Sequence, residues 1–463
     1  MIFGPTFEEM SNPTKIAPHV RERARNAYFD APLNSYNLFN INWRDFDNQI
    51  YQLVLPPELT GVEANIVLIH GYKFPSGSHK VGAAYSVLME EILMNDVDPR
   101  KHRLVFPSTG NYGIGGAWVG GRMGCDSVVV LPEEMSAERF ERIAGYGATT
   151  IKTHGSESNV KEIYDETKRL KASDPNIRIL NQFEVMGNYR FHYYVTGNTV
   201  VDLASDLRDK GIGNGKISAF VSAMGSAGTI AAGDRLKQLW SDCKIVGLEP
   251  IQCPTLYNNG YGSHDIQGIG DKHVTWIHNV LNMDALMCVD DLACKQMLQV
   301  FAEFTGRDAL ADEYGIDSQV IHDLSEMLGI SGICNVLGAI KTAKYYNMGK
   351  DDVIVTVATD GMDRYHSVMN AMQARNGDLD VHSALDRVQS IFHDADTDWI
   401  LEGTSHNRER WHNLKYYTWV EQQGKTVEEL DAQRDPEWWV GHQNLIPELD
   451  KRLIEYRKLE GTD

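Results

Sequence analysis

One lysine stands where it could act as a nucleophile. Lys80 follows a run of small and polar residues at 76–79, and it lies between an apolar segment at 66–69 that predicts a strand and a helical pattern that begins near Ala83. A lysine at such a turn, partly withdrawn from water, can have the pKa of its amine lowered and can then form a Schiff base with an aldehyde. Because most lysines are solvated surface groups, this interpretation depends on three further stretches.

The first of these stretches is rich in glycine and follows the apolar segment 219–222: Gly225, Ser226, Ala227, Gly228 and Thr229. Small residues between a strand and a helix let several backbone N–H groups converge at the positive end of the helix dipole. A phosphate monoester fits such a turn, and the hydroxyls of Ser226 and Thr229 add two donors. The alternative is an ordinary tight turn without a ligand.

The second stretch follows the apolar segment 104–106 and combines hydroxyl, amide and glycine residues: Ser108, Thr109, Gly110, Asn111 and Tyr112. Two hydroxyls, a carboxamide and the open amides of a helix start can hold a carboxylate without a charged partner. Such a site suits the α-carboxylate of an amino acid. An exposed turn is the competing interpretation.

The third stretch, Thr359 and Asp360, comes directly after the apolar segment 353–357. The end of a buried strand can direct one side chain at the nitrogen of an aromatic ring. Thr359 would be a neutral partner for that nitrogen, whereas Asp360 would hold it in its protonated form. Both alternatives stay open at this point.

A framework of strands and helices must position these stretches. Short apolar segments alternate with helical patterns at 66–69, 104–106, 127–131, 149–152, 219–222, 245–248 and 353–357. Near-continuous apolar strands separated by helices predict mainly parallel sheets that are covered on both faces. One helix start is legible, because Ser136 can act as an N-cap with Glu138 in the first turn.

Composition limits the class of protein. The chain has 463 residues, of which 42% are hydrophobic and 23% charged, and this predicts a soluble protein with two packed domains or one domain with extensions. The net charge of -20 argues against binding to nucleic acid or to anionic membranes. No apolar run approaches the roughly 20 residues of a spanning helix, and no spacing of cysteines or histidines suggests a metal site. Six scattered cysteines without a recognisable signal peptide predict a cytoplasmic location.

The chain changes character after about Arg375. Five of the nine tryptophans fall between 376 and 463, and Thr-Val-Glu-Glu at 426–429 predicts a capping box at the start of a late helix. Aromatic residues at this density suggest a clasp on the main body or on a second subunit. Simple packing on its own subunit is the alternative.

Taken in order, these stretches resemble the cysteine synthase and cystathionine β-synthase family of fold type II, tryptophan synthase β-like pyridoxal phosphate enzymes. The likeness extends from about Pro75 to Tyr365. It includes Pro-Glu-Glu-Met-Ser-Ala-Glu-Arg at 132–139, Asn-Gln-Phe at 181–183, His-Tyr at 192–193, Thr-Gly at 196–197, Gly-Leu-Glu-Pro at 247–250, Ile-Gln-Gly-Ile-Gly at 266–270 and Gly-Ile-Ser-Gly at 329–332.

The resemblance implies a fold and a domain organisation. It predicts an α/β protein with two three-layer α/β/α domains, mainly parallel sheets and a helical, tryptophan-rich C-terminal extension. Residues 1–84 and 190–375 would form a large cofactor-binding domain, residues 85–189 a smaller mobile substrate domain, and residues 376–463 the extension. Members of the family usually form homodimers.

The resemblance also implies which residues bind pyridoxal 5'-phosphate. Lys80 would carry the cofactor as a Schiff base, and Asn111 would bond the hydroxyl oxygen of its ring. Gly268 would lie near the cofactor opposite the substrate, and Thr359 or Asp360 would face the ring nitrogen. The phosphate would be held by Gly225, Ser226, Ala227, Gly228 and Thr229.

A small amino acid is the implied substrate. Its carboxylate would bind at Ser108, Thr109, Gly110, Asn111, Tyr112 and Gln182. The implied reaction is β-elimination or β-replacement through an aminoacrylate intermediate, with Lys80 as general base. Alternatives are an ammonia-lyase for serine, threonine or diaminopropionate, and a non-catalytic protein that binds the cofactor and docks a partner.

The chain departs from the family pattern in two places. Family members commonly follow the lysine with Asp-Arg, whereas this chain has Val81 and Gly82, and the pair His79-Lys80 resembles the tryptophan synthase β-subunit. Tyr112 stands where the family commonly has a smaller hydroxyl residue. Both departures lie close to the predicted chemistry.

Overall fold

The structure of the protein is a computed structural model that describes residues 2–95, 97–108, 110–156 and 158–461. Its described part contains two sheets, one of seven strands and one of four. The strands are β1 (Gln52–Val54), β2 (Asn65–His70), β3 (Arg103–Pro107), β4 (Ser127–Pro132), β5 (Thr149–Thr153), β6 (Ile177–Ile179), β7 (Ala219–Ala223), β8 (Lys244–Pro250), β9 (Ala285–Val289), β10 (Val353–Ala358) and β11 (Ile400–Glu402).

Helices pack around both sheets. The helices that precede β7 are α1 (Phe7–Ser11), α2 (Pro18–Asp30), α3 (Pro57–Thr60), α4 (Lys80–Met94), α5 (Asn111–Met123), α6 (Ala137–Gly145), α7 (Val160–Ser173), α8 (Met186–Arg190) and α9 (Gly197–Asp209). Those between β7 and β11 are α10 (Ala232–Leu239), α11 (Thr255–Asn258), α12 (Asp291–Ala302), α13 (Phe304–Tyr314), α14 (Ser318–Met327), α15 (Ile330–Tyr345), α16 (His366–Asn376) and α17 (Val381–Arg387). The last are α18 (Ser405–Asn413), α19 (Lys415–Trp419), α20 (Val427–Ala432), α21 (Pro436–Asn444) and α22 (Ile446–Leu459).

The larger sheet has the order β1-β2-β10-β7-β8-β9-β11, and its five inner strands run parallel. Alternate residues of β2 enter different cores: Val67 and Ile69 pack on one face of the sheet, and Ile66 and Leu68 pack on the other. Since side chains alternate between the faces of a strand, both faces must be apolar when helices cover both. This explains the continuous apolar runs from which the parallel sheet was predicted.

The smaller sheet has the order β5-β4-β3-β6, and all of its strands run parallel. Every strand of this sheet comes from residues 103–179, within the range predicted for the substrate domain. The domain boundaries at 84, 189 and 375 themselves stay a prediction. The observed layers agree with the predicted α/β class with mainly parallel sheets.

The C-terminal extension is helical, as predicted, but it also contributes a strand. β11 pairs antiparallel with β9, and Leu401 lies opposite Leu286. Trp411 and Trp419 of the extension are fully buried. The extension is therefore an integral part of this subunit's core, which agrees with the simpler of the two interpretations.

All seven predicted strands form, and β1, β6, β9 and β11 are additional. The capping box at Thr426 is confirmed: its side chain accepts from the Glu429 amide, and the Glu429 carboxylate accepts from the Thr426 amide. Ser136 occupies the N-cap position of α6, as predicted, but its side chain makes no capping hydrogen bond to the helix. The Ser136 hydroxyl is buried without a hydrogen-bond partner among the described residues.

Candidate active site

The predicted site residues gather at one edge of the larger sheet. The neighbouring parallel strands β2, β10, β7 and β8 are followed along the chain by Lys80, Thr359, Ser226 and Gly268 respectively. Carboxyl ends of parallel strands meet at the same edge, where open α/β sheets bind their ligands. The topology therefore brings together four stretches that lie far apart in the sequence.

Lys80 is the first residue of α4, and its side chain is buried. Its Nζ lies 3.4 Å from the hydroxyl oxygen of Ser226 in the glycine-rich stretch. The predicted Schiff-base lysine and the predicted phosphate loop therefore belong to one site.

Helix α4 begins three residues before the expected start at Ala83. The amides of Val81 and Gly82 donate to the carbonyls of Ser78 and His79, at 3.2 and 2.9 Å, and so extend the first turn back toward β2. Ser78 also forms a β-bridge with Asp360. Lys80 is thus fixed between the ends of two strands.

The departure at Gly82 has a packing reason. A Cβ atom at Gly82 would lie 2.0 Å from the ring of Phe191, so no side chain fits there without displacing that ring. Phe191 opens the π-helical segment Phe191–Thr196, which also carries His192. The arginine that the family commonly has at this position is therefore excluded by this local packing.

At Ser226 the glycine-rich loop is held by two side chains from other segments. Thr275 donates its hydroxyl to the Ser226 carbonyl at 2.8 Å, and Asn188 donates its side-chain amide to the Ser226 hydroxyl at 3.0 Å. Ala227 adopts a left-handed φ of 58°. At Gly228 a Cβ atom would fall 2.1 Å from Asn188 Oδ1, which requires glycine at this position.

Two buried imidazoles border the loop. His79 Nε2 lies 3.2 Å from the Thr229 hydroxyl, and the His79 ring packs edge-on against that of His192 at 5.3 Å between centroids. Burial, together with the charge of Lys80, lowers the pKa of His79 well below its ordinary value. Burial, together with His79 and the charge of Lys80, also lowers the pKa of His192 well below its ordinary value. Both rings are therefore neutral at physiological pH, so they can donate or accept a hydrogen bond but add no charge.

On the other side of the pocket Asp360 is saturated with partners. Its carboxylate accepts from the Asn111 side-chain amide at 2.6 Å and from the Tyr365 hydroxyl at 2.9 Å. Arg139 lies 3.6 Å from the same carboxylate, and both side chains are fully buried. Arg364 donates to the carbonyl oxygen of the Asn111 side chain. The prediction did not include Arg139, Arg364 and Tyr365, although the first lies in a motif that carries the family resemblance.

The two candidates for a ring-nitrogen partner thus differ. The carboxylate of Asp360 is engaged by three residues. The hydroxyl of Thr359 has no hydrogen bond to any described residue, and Thr359 is 7% exposed. Thr359 is therefore the one of the two that still has a polar atom available for a ligand.

The predicted carboxylate loop begins helix α5. The Ser108 hydroxyl accepts from the amides of Gly110 and Gly113, both at 2.8 Å, which fixes the loop against the helix. Asn111 is the first helical residue, and Gln182 is buried with its side-chain amide 3.5 Å from the Pro107 carbonyl. Thr109 lies outside the described residues.

Tyr112 points away from the predicted substrate position. Its ring is buried, and its hydroxyl donates to the Leu180 carbonyl at 2.9 Å. A substrate-binding role for Tyr112 therefore rests on its backbone amide in the first turn of α5 rather than on its hydroxyl.

One acidic residue of the site was missed. Asp271 directly follows the Gly-Ile-Gly sequence at 268–270 and is buried, and neither of its carboxylate oxygens has a hydrogen-bond partner among the described residues. Burial raises the pKa of its carboxyl to about 7, and the positive charge of Lys80 opposes this rise. The signal was an acid next to a stretch already assigned to the cofactor.

The residues present fit pyridoxal phosphate. Open space lies in front of Gly268, where an added Cβ would meet only the Asn111 amide nitrogen, 3.9 Å away, within 4 Å. The loop at 225–229 offers amides and hydroxyls to a phosphate, Lys80 offers an amine to an aldehyde, and Thr359 offers a hydroxyl to a ring nitrogen. Within the described ranges no cluster of residues could hold a metal ion, and no helix is both long and apolar enough to cross a bilayer.

Comparison with known families gives one match over more than half of the chain. Residues 57–306 match the model of the family described as pyridoxal-phosphate dependent enzyme. The matched region contains Lys80, the carboxylate loop, the glycine-rich loop and Asp271. The C-terminal extension lies outside it.

Individual relatives agree with this match. The chain is 28% identical to cysteine synthase B of Campylobacter jejuni over 63% of this chain and 87% of that protein. Among solved structures, it is similar to cysteine synthase of Entamoeba histolytica, with a TM-score of 0.59 and 21% identity over 74% of this chain and 92% of that one. A hydrogen sulfide-producing enzyme of Fusobacterium nucleatum gives a TM-score of 0.57 and 23% identity over 73% and 91% of the two chains. These structural similarities show a shared fold.

Proposed function

Because the chain belongs to the pyridoxal-phosphate dependent enzyme family, as the match over residues 57–306 shows, we propose that its main reaction is β-elimination from a small amino acid. The observation that carries this proposal is the neutral Thr359 hydroxyl, available at the end of β10 while Asp360 is engaged elsewhere. β-Replacement is the second outcome of the same chemistry when a nucleophile is present.

The family match and the cysteine synthase relatives confirm three of the predictions. The cofactor is pyridoxal 5'-phosphate, the protein is an enzyme, and it is a lyase or β-replacement synthase of the cysteine synthase type. The predicted fold type is confirmed as well. The identities of the substrate and of the site residues belong to the proposal.

The proposal assigns the cofactor to the residues described above. Lys80 would hold its aldehyde carbon, the loop at 225–229 its phosphate, Asn111 its ring hydroxyl and Thr359 its ring nitrogen. When bound, the cofactor supplies an aldehyde for the substrate amine and an aromatic ring that stabilises negative charge at the α-carbon. The chain supplies position, proton transfer and exclusion of water.

Lys80 moves the first proton in this scheme. Its buried amine lies at the start of a helix, beside Ser226, and it takes the proton from the α-carbon of the substrate. Burial keeps competing water from the amine. Thr359, as a neutral partner, would leave the ring nitrogen unprotonated, so that charge at the α-carbon would be weakly stabilised and loss of the β-substituent would be favoured.

The carboxylate of the substrate is assigned to the start of α5. Ser108 fixes this turn through two 2.8 Å hydrogen bonds, and the first amides of the helix attract an anion. Asn111 shares its side chain with Asp360 and Arg364, which restricts its rotation. Gln182 is the remaining donor assigned to the substrate carboxylate, and Thr109 is assigned to it from the sequence.

The proposal is tested on the holoenzyme with a panel of amino acids. O-Acetyl-L-serine, L-cysteine, L-serine, L-threonine and diaminopropionate are each incubated with and without sulfide, and ketoacid, ammonia and amino-acid products are measured. We expect ketoacid from O-acetyl-L-serine or L-cysteine without added sulfide. Lys80→Ala removes the general base and should lower turnover by about 10³-fold or more.

Three other outcomes would contradict the proposal. Formation of cysteine from O-acetyl-L-serine and sulfide, without ketoacid in the absence of sulfide, would make the enzyme a synthase. Turnover of serine, threonine or diaminopropionate in preference to the others would make it an ammonia-lyase. A visible absorbance band that no amino acid shifts would indicate a non-catalytic protein that binds the cofactor.

We also propose a cytoplasmic homodimer. All six cysteines are free thiols, which suits a reducing compartment. Phe29 and Leu33, at the end of α2 and just beyond it, are 62% and 70% exposed, and such apolar groups are common at subunit interfaces. Light scattering of the purified holoenzyme measures the mass directly, and a value of one subunit would contradict the dimer.

A further inference from the structure

We propose that Asp271 is a second proton-transfer group of the Lys80 site, which protonates the group that leaves the β-carbon of the substrate. The enzyme would then accept amino acids with unactivated leaving groups, such as thioethers and thiols, and not only activated esters. This inference rests on the proposed β-elimination and names its substrate class.

Asp271 combines burial with a lack of partners. It is 5% exposed, and neither carboxylate oxygen makes a hydrogen bond to a described residue. A buried carboxyl without partners costs free energy, so such groups persist mainly where they serve a function. Asp271 therefore requires an explanation that packing does not give.

Backbone hydrogen bonds fix the Asp271 segment next to the glycine-rich loop at 225–229. Thr255 donates its hydroxyl to the Asp271 carbonyl at 3.1 Å, and the Gly270 amide donates to the Met224 carbonyl at 2.8 Å, just before the loop. A third link joins Thr275 to the Ser226 carbonyl. The segment 268–275 is therefore anchored to the phosphate loop on both sides of Asp271.

Three ionisable groups interact with the Asp271 carboxyl. The positive charge of Lys80 on α4 favours the ionised form of Asp271. The negative charge of ionised Asp271 in turn raises the pKa of Tyr164 on α7 and of Cys253 after β8. Burial is the largest influence and raises the pKa of Asp271 to about 7. Near neutral pH the carboxyl can therefore both hold and release a proton, which is the requirement for acid–base catalysis.

Two groups divide the proton transfers in this scheme. The Lys80 amine takes the α-proton, and the electron pair of that C–H bond forms a double bond between the α- and β-carbons. The electron pair of the bond between the β-carbon and sulfur leaves with the sulfur, and Asp271 gives its proton to that sulfur. The products of this step are the α,β-unsaturated amino acid, a neutral thiol, a protonated Lys80 and a carboxylate at Asp271. Asp271 regains a proton from water, or from an incoming nucleophile when the reaction is a replacement.

A second buried carboxyl shows what a structural role looks like. Asp450 on α22 also has its pKa raised to about 7 by burial, but its two oxygens accept from the amides of Phe7 and Glu8 at 2.7 and 3.0 Å. Its function is to join the C-terminal helix to α1. Asp450→Asn is therefore the matched control for Asp271→Asn, because it makes the same change in a buried carboxyl outside the site.

The experiment compares two substrates on the holoenzyme. S-Methyl-L-cysteine loses a thiolate that benefits from a proton, whereas β-chloro-L-alanine loses chloride, which needs none. In Asp271→Asn we expect turnover of S-methyl-L-cysteine to fall about 10²-fold, while turnover of β-chloro-L-alanine changes less than about threefold. The absorbance band of the bound cofactor should be unchanged, and Asp450→Asn should treat both substrates like the unmodified enzyme.

A pH profile of the unmodified enzyme gives an independent measurement if the variant does not fold. The ratio of kcat/KM for S-methyl-L-cysteine to kcat/KM for β-chloro-L-alanine should fall above about pH 7, because Asp271 then loses the proton that it donates. The slope of this fall should approach about tenfold per pH unit. A flat ratio from pH 6 to 8.5, or equal losses on both substrates in Asp271→Asn, would overturn the role of Asp271. Absence of turnover on both substrates by the unmodified enzyme would instead refute the proposed β-elimination.

Discussion

The pocket around Lys80 contains a buried aspartate on each of two sides, and the two have opposite surroundings. Asp360, after β10, accepts hydrogen bonds from Asn111 and Tyr365 and pairs with Arg139. Asp271, after β8, is also buried, but neither of its carboxylate oxygens has a hydrogen-bond partner within the described ranges. The same side chain is thus fixed on one side of the pocket and uncommitted on the other.

This difference separates two uses of a buried charge. A carboxylate that is paired and hydrogen-bonded holds its neighbours in place, and removing one partner is expensive because the remaining charge stays buried. A carboxyl without partners can change its protonation state at little structural cost. We therefore assign Asp360 to the positioning of Asn111 and reserve proton transfer for Asp271.

The largest effect on stability is expected from removing a partner of the hydrogen-bonded Asp360. Arg139→Met leaves the Asp360 carboxylate buried without its cation and should lower the free energy of unfolding by about 3–5 kcal/mol. Arg142→Met is the control on the same helix, because Arg142 and Asp363 form an ion pair whose side chains are 29% and 32% exposed. That change should cost about 1 kcal/mol or less. Similar losses in the two variants, measured by urea unfolding, would show that the Arg139 pair is not a special one.

The packing behind Asp271 offers the next test. Trp419 of the extension is fully buried, donates its indole N–H to the Val274 carbonyl at 2.8 Å and packs against Tyr164 and Trp276. Trp419→Ala should cost about 3 kcal/mol through the cavity that it leaves. Tyr417→Ala, at a position that is 64% exposed, should cost about 0.5 kcal/mol or less. If Trp419→Ala is as mild, the extension does not support this side of the site.

Most of the framework could be predicted from the sequence, because period and composition determine it locally. The inner strands of both sheets are apolar on both faces, and a continuous apolar run such as 353–357 is typical of such a strand. The short strands β1, β6 and β11 have three residues each and are partly exposed, so they carry little pattern. β9 is apolar and buried but was not separated from the irregular segment before it.

The candidate site was predictable where a residue type has one common use and not where its use depends on its neighbours. The lysine at a strand-to-helix turn and the glycine-rich loop could be proposed from the sequence because backbone position and small residues define both locally. The choice between Thr359 and Asp360 depends on Arg139 and Tyr365, which are brought to Asp360 only by tertiary structure. Asp271 is distinguished by hydrogen bonds that it does not make, and no sequence pattern encodes those.

The Asp271 carboxyl should also affect the pH dependence of stability. The folded pKa of Asp271 is about 7, above its unfolded value of about 3.8, so its protonated form favours the folded state and stability is lost as pH rises between these values. Asp271→Asn removes the ionisable group, so it should reduce the decline in free energy of unfolding from pH 5 to pH 8 by about 3 kcal/mol. Asp360→Asn, which breaks the satisfied side, should destabilise the protein already at pH 5. An unchanged pH dependence in Asp271→Asn would mean that the carboxyl is hydrated in solution.

The smallest effect is expected in the backbone of the glycine-rich loop at 225–229, beside Asp271. Ala227 lines the same small cavity as Asp271 and has a left-handed φ of 58°, which costs a residue with a Cβ about 1 kcal/mol. Ala227→Gly removes that strain but increases the entropy of the unfolded chain, so a net gain of about 0.5 kcal/mol is expected. Ala232→Gly, in the following helix at a φ of -55°, has no strain to relieve and should lose about 1 kcal/mol. Opposite signs in urea unfolding would show that the loop stores strain of its own; equal losses would show that the Ala227 methyl group is needed for packing against the Asp271 segment.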